Sequence, residues 1–118
     1  MRSERLLEHF RNPKNVGELP APAIQVEVVN PACGDILRLS ARLVEDRVVD
    51  TAFKVRGCPA SIAAGSALME LMAGKSRLEL QSLQAGDIES ALDGLEPASK
   101  HAAQLCVDAV KALLTQLV

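Results

Sequence analysis

The sequence predicts a fold that combines a small β-sheet with several helices. Three segments between residues 24 and 55 alternate apolar and polar side chains, as strands with one buried face do. From Pro59 onward the apolar residues recur at helical spacing, and a short helix is predicted at residues 4–11. Because 118 residues suffice for one hydrophobic core but not for two, residues 1–118 are expected to form a single domain.

Each element is predicted from its own local pattern. A turn at residues 12–15, followed by a Pro-rich loop, separates the first helix from the first strand. The residues expected on one face of the three strands are Ile24, Val26 and Val28, then Leu37, Leu39, Ala41 and Leu43, then Val49, Thr51, Phe53 and Val55. Among the later residues, Ser76 and Glu79 match a capping box at the start of a shorter helix.

The second and third strands are predicted to form a hairpin that turns near residues 45–47. Their apolar faces coincide only if paired residue numbers sum to 92, as in Leu43 with Val49 and Leu39 with Phe53. A one-residue slip would turn every side chain to the other face. The predicted loop is then about three residues long.

The same register gathers candidate metal ligands at one end of the hairpin. Extended beyond the strands, it places Cys58 opposite Gly34, with Cys33 and Asp35 on either side. Thiolates and carboxylates are common ligands of transition metals. A helix that begins at Pro59 places Cys58 at or next to the N-cap, where the helix dipole favours negative charge. The alternative interpretation is a turn stabilised by Asp35 together with an inert buried thiol.

The last helix is predicted to run from Pro97 to about Gln116. Its expected buried stripe consists of Ala98, Ala102, Leu105, Ala109 and Leu113. His101 falls on the border of that stripe, and nothing in the spacing alone brings it near the cysteines. Cys106 lies within the stripe and is interpreted as core packing, while His9 is interpreted as a structural residue without an identifiable partner.

Composition argues against several classes of function. A net charge of −2 and only two Phe, with no Trp or Tyr, disfavour binding to nucleic acid. No apolar run approaches the length of a membrane span, and the polar N-terminus does not lead into a signal peptide, so a cytoplasmic location is expected. Three cysteines do not form a disulfide framework there. No nucleophile–base pair or phosphate-binding Gly loop is evident, so the protein is expected not to be an enzyme.

Several motifs in the right order carry a resemblance to a known family. They are EHFRNPKNVG at residues 8–17, NPACGD at residues 30–35, FK leading to GC at residues 57–58, SIA with a later serine at residues 61–66, and DAVKA at residues 108–112. With these motifs the chain resembles, over almost its full length, the iron–sulfur cluster assembly scaffolds of the IscU/NifU N-terminal type, which include SufU-like members.

The resemblance implies an α+β fold, with a small, mainly antiparallel three-stranded sheet and helices packed on one face. It also implies that a cysteine desulfurase supplies sulfur, that iron joins it, and that a [2Fe–2S] cluster is built and then passed to recipient apo-proteins. By position, Cys33, Asp35 and Cys58 match the family's first two cysteines and its aspartate. His101 matches the histidine that many members carry.

Two departures from the family pattern affect the expected function. The family's third cysteine directly follows the histidine, and here that position is Ala102. The segment that recruits a dedicated Hsp70-type chaperone is replaced by LEPAS at residues 95–99, which argues against that partner. Two thiolates, a carboxylate and an imidazole could hold iron, a [2Fe–2S] cluster or tetrahedral zinc. Three hypotheses remain open at this point: a divergent scaffold, a zinc-bound sulfur acceptor or modulator of the desulfurase, and an interaction module that has lost cluster chemistry.

Overall fold

The computed structural model describes residues 3–32 and 34–117, and its three strands form one antiparallel sheet in the order β1-β2-β3. This is the predicted α+β architecture. The elements, in chain order, are α1 (Glu4–Arg11), β1 (Ile24–Val29), β2 (Ile36–Val44), β3 (Arg47–Arg56), α2 (Pro59–Met72), α3 (Arg77–Gln81), α4 (Ala85–Ala91), a 3-10 turn (Pro97–Ser99) and α5 (Lys100–Thr115).

The two faces of the sheet have opposite character, as the alternating pattern predicts. Leu37, Leu39 and Phe53 are buried on the inner face, where α2 and α5 pack against the strands. Burial of these side chains removes apolar surface from water and is the main stabilising contribution of this face. Arg38 and Lys54 are exposed on the outer face. The helices therefore cover one side of the sheet.

The hairpin of β2 and β3 follows the predicted register over most of its length. Leu39 pairs with Phe53, and this register runs without interruption as far as Arg42 and its partner Asp50. The predicted pair of Leu43 with Val49 is wrong, because a β-bulge after Arg42 shifts the partner of Leu43 to Val48. The extra residue of the bulge, Val49, is exposed.

The turn of this hairpin explains the bulge. The predicted three-residue loop is instead a two-residue loop, Glu45 and Asp46, between the paired residues Val44 and Arg47. Both loop residues have positive φ, 51° and 67°. This conformation is that of a type I′ turn, whose twist matches the twist of the flanking strands. The short turn leaves one surplus residue in β3, and the bulge accommodates it.

The segment after α1 lies along the outer edge of β3. Phe53 N donates a hydrogen bond to Asn15 O (3.0 Å), and Gly17 N donates one to Phe53 O (2.9 Å). An edge strand otherwise exposes unpaired backbone groups. The turn that follows α1 therefore completes the sheet on that side, and its Asn15 adopts a φ of 54° to do so.

The helix starts agree with the predicted capping signals, except for that of the last helix. Ser76 begins α3 with both hydrogen bonds of a capping box. The predicted continuous helix from Pro97 is instead a 3-10 turn followed by α5 from Lys100. The tighter winding of a 3-10 turn changes the direction of its side chains. Ala98 is therefore exposed, and the buried stripe begins only at Ala102.

Candidate metal centre

Three predicted ligands from three distant parts of the chain meet at one end of the sheet. Asp35 directly precedes β2, Cys58 is the N-cap of α2, and His101 lies in the first turn of α5. Cys58 Sγ lies 3.6 Å from Asp35 Oδ2 and 3.8 Å from His101 Nε2. His101 Nε2 lies 3.5 Å from Asp35 Oδ2.

These separations suit donor atoms that share one metal ion. Tetrahedral zinc with bonds of about 2.0–2.3 Å separates its donor atoms by about 3.3–3.8 Å. The three observed distances of 3.5, 3.6 and 3.8 Å lie within this range. The residue types also fit, because sulfur, imidazole nitrogen and carboxylate oxygen all bind zinc and iron. The fourth predicted ligand, Cys33, lies outside the described residues, so its role stays a prediction.

The Asp35 carboxylate reaches the site because the chain turns tightly just before β2. Gly34 N donates a hydrogen bond to Asn30 O (2.7 Å), and Asn30 N donates one to Asp35 O (2.8 Å). Gly34 has a φ of 80°, which glycine adopts at little cost. The side chain of Asp35 is largely buried, and Ser61 Oγ donates a hydrogen bond of 2.6 Å to its Oδ2.

Gly57 makes room for that carboxylate. A Cβ atom at this position would lie 2.5 Å from Asp35 Cγ and 2.6 Å from Oδ2, closer than real Cβ contacts. A glycine at position 57 therefore allows the carboxylate of a predicted ligand to approach the backbone closely. The pairing of β2 and β3 ends at Ile36 and Arg56. The ladder therefore brings the two segments to one end of the hairpin, and the start of α2, just beyond the last pair, sets the position of Cys58.

Cys58 occupies the start of a helix that carries no negative charge of its own there. Pro59 is the first helical residue, and the first turn of α2 contains no acidic residue. The N-terminus of a helix has a partial positive charge and stabilises nearby anions. Asp35, which contacts Cys58, supplies a carboxylate at this end of α2.

His101 presents the ring nitrogen that a metal requires. Its Nδ1 lies 3.1 Å from the carbonyl oxygen of Ala98. Because a carbonyl only accepts hydrogen bonds, Nδ1 carries the proton of that bond, and the neutral ring keeps its lone pair on Nε2. Nε2 is the nitrogen that faces Cys58 and Asp35. A groove lined in part by Pro31 and Gln104 borders the His101 side of the site.

The position of the family's third cysteine is part of the core. Ala102 is 1% exposed, and so is Cys106, one helical turn further along α5. Burial raises the pKa of the Cys106 thiol to about 12, so this thiol stays protonated near neutral pH. A metal ligand must be a thiolate. The interpretation of Cys106 as core packing agrees with this burial.

His9 has a partner that the sequence did not reveal. Its Nδ1 lies 2.7 Å from Ser66 Oγ, and its Nε2 lies 3.2 Å from Glu70 Oε1. Ser66 Oγ also accepts a hydrogen bond from the backbone N–H of Lys14 (2.9 Å). The expectation of a structural role for His9 is consistent with these contacts, which join α1 and the following turn to α2.

Ser61 is the site residue that reasoning from the sequence missed. It is 2% exposed, and its Oγ lies 3.4 Å from Cys58 Sγ in addition to its bond with Asp35. The available signal was its position as the third residue of a helix capped by a cysteine. Side chains at that position turn back toward the N-cap.

None of the helices within residues 3–32 and 34–117 is both long and apolar enough to cross a bilayer.

Comparisons with known proteins agree with the fold and with the motifs. The family model described as NifU-like N terminal domain matches residues 1–117. The bifunctional protein NifU/MnmA of Rubrobacter xylanophilus is 43% identical over 108 residues, which cover 90% of this chain. The matched residues span only 22% of that longer protein.

Shorter relatives match over most of their length. The iron–sulfur cluster assembly enzyme IscU of Drosophila melanogaster is 39% identical, over 94% of this chain and 74% of that protein. The iron–sulfur cluster assembly scaffold protein IscU of Azotobacter vinelandii is 36% identical, over 93% of this chain and 88% of that protein.

Solved structures support the fold. The N-terminal part of a NifU-like protein from Brucella abortus superposes with a TM-score of 0.77 at 22% identity, covering 98% of this chain and 92% of that chain. The protein FiSufU from Fervidobacterium islandicum AW-1 gives a TM-score of 0.75 at 23% identity, with 95% of each chain covered. The family model and the relatives together establish that the chain belongs to the NifU-like N-terminal domain family, the IscU/NifU type of iron–sulfur cluster assembly scaffold.

Proposed function

We propose that this protein is a divergent scaffold that binds iron and sulfide, or a [2Fe–2S] cluster, and passes this cargo to recipient apo-proteins. The observation that supports the proposal most is the meeting of Asp35, Cys58 and His101 at one end of the sheet, with donor atoms 3.5–3.8 Å apart. The printed names of two close relatives, cluster assembly enzyme and scaffold protein, point the same way.

The proposed ligand set is Cys33, Asp35, Cys58 and His101. Cluster iron is usually held by thiolates, but histidine can replace thiolate on an iron. A carboxylate is a harder ligand than a thiolate and binds iron less specifically. A mixed set of this kind suits cargo that must leave again. Because Ala102 stands where the family has its third cysteine, sulfur from a cysteine desulfurase would have to be accepted at Cys33 or Cys58.

Anaerobic reconstitution tests this proposal. The protein is incubated with ferrous iron, cysteine, a cysteine desulfurase and a thiol reductant that converts persulfide sulfur to sulfide, and we expect visible charge-transfer absorption with equal amounts of bound iron and sulfide. Cys58→Ser should abolish the absorption. Cys106→Ser is the matched control, because Cys106 is buried in the core and should leave the absorption unchanged. Wild-type protein without charge-transfer absorption and without bound sulfide would reject the scaffold function.

A second candidate is a zinc-bound partner that accepts sulfur from a cysteine desulfurase or modulates that enzyme. The near-tetrahedral spacing of the three donor atoms favours it, as does the alanine at position 102. It predicts one zinc ion per chain and a change in desulfurase turnover when the zinc-loaded protein is added. Unchanged turnover would contradict it. If the double variant Cys33→Ser/Cys58→Ser kept the wild-type metal content and melting temperature, a plain interaction module would be the better description.

The remaining parts of the proposal concern how the protein works rather than what it binds. We propose that it is a carrier and not an enzyme, that residues 1–118 act as a single domain, and that it works in the cytoplasm. We also propose that transfer proceeds without a dedicated Hsp70-type chaperone, since LEPAS stands where the family has its recruitment segment.

A further inference from the structure

We propose that Ser61 is a positioning residue of this site, whose hydroxyl holds the Asp35 carboxylate in the orientation that binds metal. The inference rests on the proposed function, since it concerns how that cargo is held. Ser61 Oγ donates to Asp35 Oδ2 at 2.6 Å. The same Oδ2 is the oxygen that lies 3.6 Å from Cys58 Sγ and 3.5 Å from the ring of His101.

The helix start explains why a hydroxyl lies there. Ser61 is the third residue of α2, and its backbone N–H donates to the carbonyl of Cys58 (3.0 Å). This first turn directs the side chain back toward the N-cap. Ser61 is also 2% exposed, so little water competes for its hydroxyl. The serine is therefore held by the same turn that places the cysteine.

The proton of the Ser61 hydroxyl belongs to the bond with Asp35. A hydroxyl has one proton to donate, and a carboxylate oxygen only accepts. Ser61 Oγ also lies 3.4 Å from Cys58 Sγ, and toward that atom it can only accept from the thiol. The hydroxyl proton is therefore committed to the Asp35 carboxylate.

Gly57 leaves space beside the Asp35 carboxylate, so the hydrogen bond from Ser61 is important for holding that carboxylate in place. The carboxylate lies where a Cβ of residue 57 would be, with 2.5 Å between that position and Asp35 Cγ. An aspartate side chain has two rotatable bonds, so the position of Oδ2 depends on what holds it. Charge-assisted hydrogen bonds are stronger than neutral ones. Removing such an outer partner of a metal ligand typically lowers metal affinity about 10–100-fold.

Cobalt(II) alone is a suitable probe, because its visible spectrum reports its ligands. Apo-protein is titrated without oxygen, and we expect wild-type protein to show thiolate-to-cobalt charge transfer and four-coordinate visible bands. Ser61→Ala should weaken Co²⁺ affinity about 10-fold or more and shift these bands. Ser61→Thr keeps the hydroxyl and should restore both. The matched control is Ser66→Ala on the same helix, whose described hydrogen-bond partners are His9 and Lys14. It should lower stability but leave affinity and spectrum unchanged.

A double-mutant cycle tests whether Ser61 acts through Asp35. In an Asp35→Ala background, Ser61→Ala should cause no further loss of Co²⁺ affinity. A further loss of the same size as in the wild-type background would overturn the inference, and so would wild-type affinity and spectrum in Ser61→Ala alone. If Ser61→Ala does not fold, Ser61→Val, which has the shape of Ser61→Thr without the hydroxyl, is tested with the same two outcomes. Wild-type protein that binds neither Co²⁺ nor iron with sulfide would instead reject the proposed function itself.

Discussion

Two glycines, Gly57 just before α2 and Gly65 in the middle turn of α2, lie beside very different neighbours. A Cβ on Gly57 would lie 2.5 Å from the carboxyl carbon of Asp35, and a Cβ on Gly65 would lie 2.5 Å from the ring of Phe53. The carboxylate is the end of a side chain that can rotate away. The ring is 1% exposed and is held on all sides by the core. One glycine thus makes room for a candidate ligand, and the other makes room for packing.

Two buried serines repeat the contrast. Ser61 is 2% exposed and Ser66 is 0% exposed, so burial does not distinguish them. Ser61 donates to the carboxylate of Asp35, whereas Ser66 contacts His9 and accepts from the N–H of Lys14. The difference lies in the partner. One serine acts on the candidate metal centre, and the other fastens α1 to the rest of the fold.

The largest effect on stability is expected in the middle turn. Gly65→Ala should lower the free energy of unfolding by about 1–3 kcal/mol, because the added methyl group overlaps the ring of Phe53 in a core without space. Urea unfolding followed by circular dichroism measures this change. Co²⁺ affinity of the folded protein should remain that of the wild type. A loss below about 0.5 kcal/mol, which is within the range of ordinary surface substitutions, would contradict the packing role of Gly65.

The second effect concerns the serine of the same turn. Ser66→Ala leaves the backbone N–H of Lys14 and a ring nitrogen of His9 without their serine partner, and we expect a loss of about 1–2 kcal/mol. Urea unfolding again gives the value. Ser82→Ala is the control, because its hydroxyl donates to Glu79 O at an exposed position and its loss should have little effect. Equal losses in the two variants would show that the bonds between α1 and α2 are not important for stability.

These contrasts also show which parts of the fold were predictable from the sequence. The pairing of Leu39 with Phe53 was predicted correctly, because one-residue slips would expose the apolar face of a strand. The bulge after Arg42 was not predicted, because it depends on a two-residue turn in which Glu45 and Asp46 both adopt positive φ. Neither residue is a glycine or an asparagine, so the local sequence gave no signal of that turn.

The candidate site divides in the same way. The nearness of Asp35 and Cys58 could be predicted, since both flank paired strands and the pairing brings them to one end of the hairpin. The approach of His101 has no local signal, because it is 43 residues beyond Cys58 and depends on how α5 packs against the sheet. It was expected only from the family resemblance. The contact of His9 with Ser66 likewise joins residues 57 positions apart. Contacts of this kind have no local period to reveal them.

The start of α2 should show the opposite balance between stability and binding. Gly57→Ala is expected to change the free energy of unfolding by less than about 1 kcal/mol, because the Asp35 side chain can rotate away from the new methyl group. Co²⁺ affinity should fall about 10-fold, since the carboxylate then leaves its position. Parallel cobalt titration and urea unfolding measure the two quantities. A stability loss as large as that of Gly65→Ala, with unchanged Co²⁺ affinity, would reverse the assignment of the two regions.

The smallest predicted effect is the change in the free energy of unfolding with pH that the buried Cys106 thiol causes. Burial raises the pKa of Cys106 from its ordinary value near 9.0 to about 12 in the folded protein, so above pH 9 the unfolded chain releases a proton that the folded chain retains. The contribution of the Cys106 thiol to the free energy of unfolding is therefore fully present below pH 9 and is lost as the pH rises toward 12. Between pH 7 and 9.5 the loss should be about 1 kcal/mol. Urea unfolding of the wild type at both pH values should show this loss. In Cys106→Ala the pH-dependent loss should be smaller by that amount, and an unchanged dependence would show that the thiol is accessible to water.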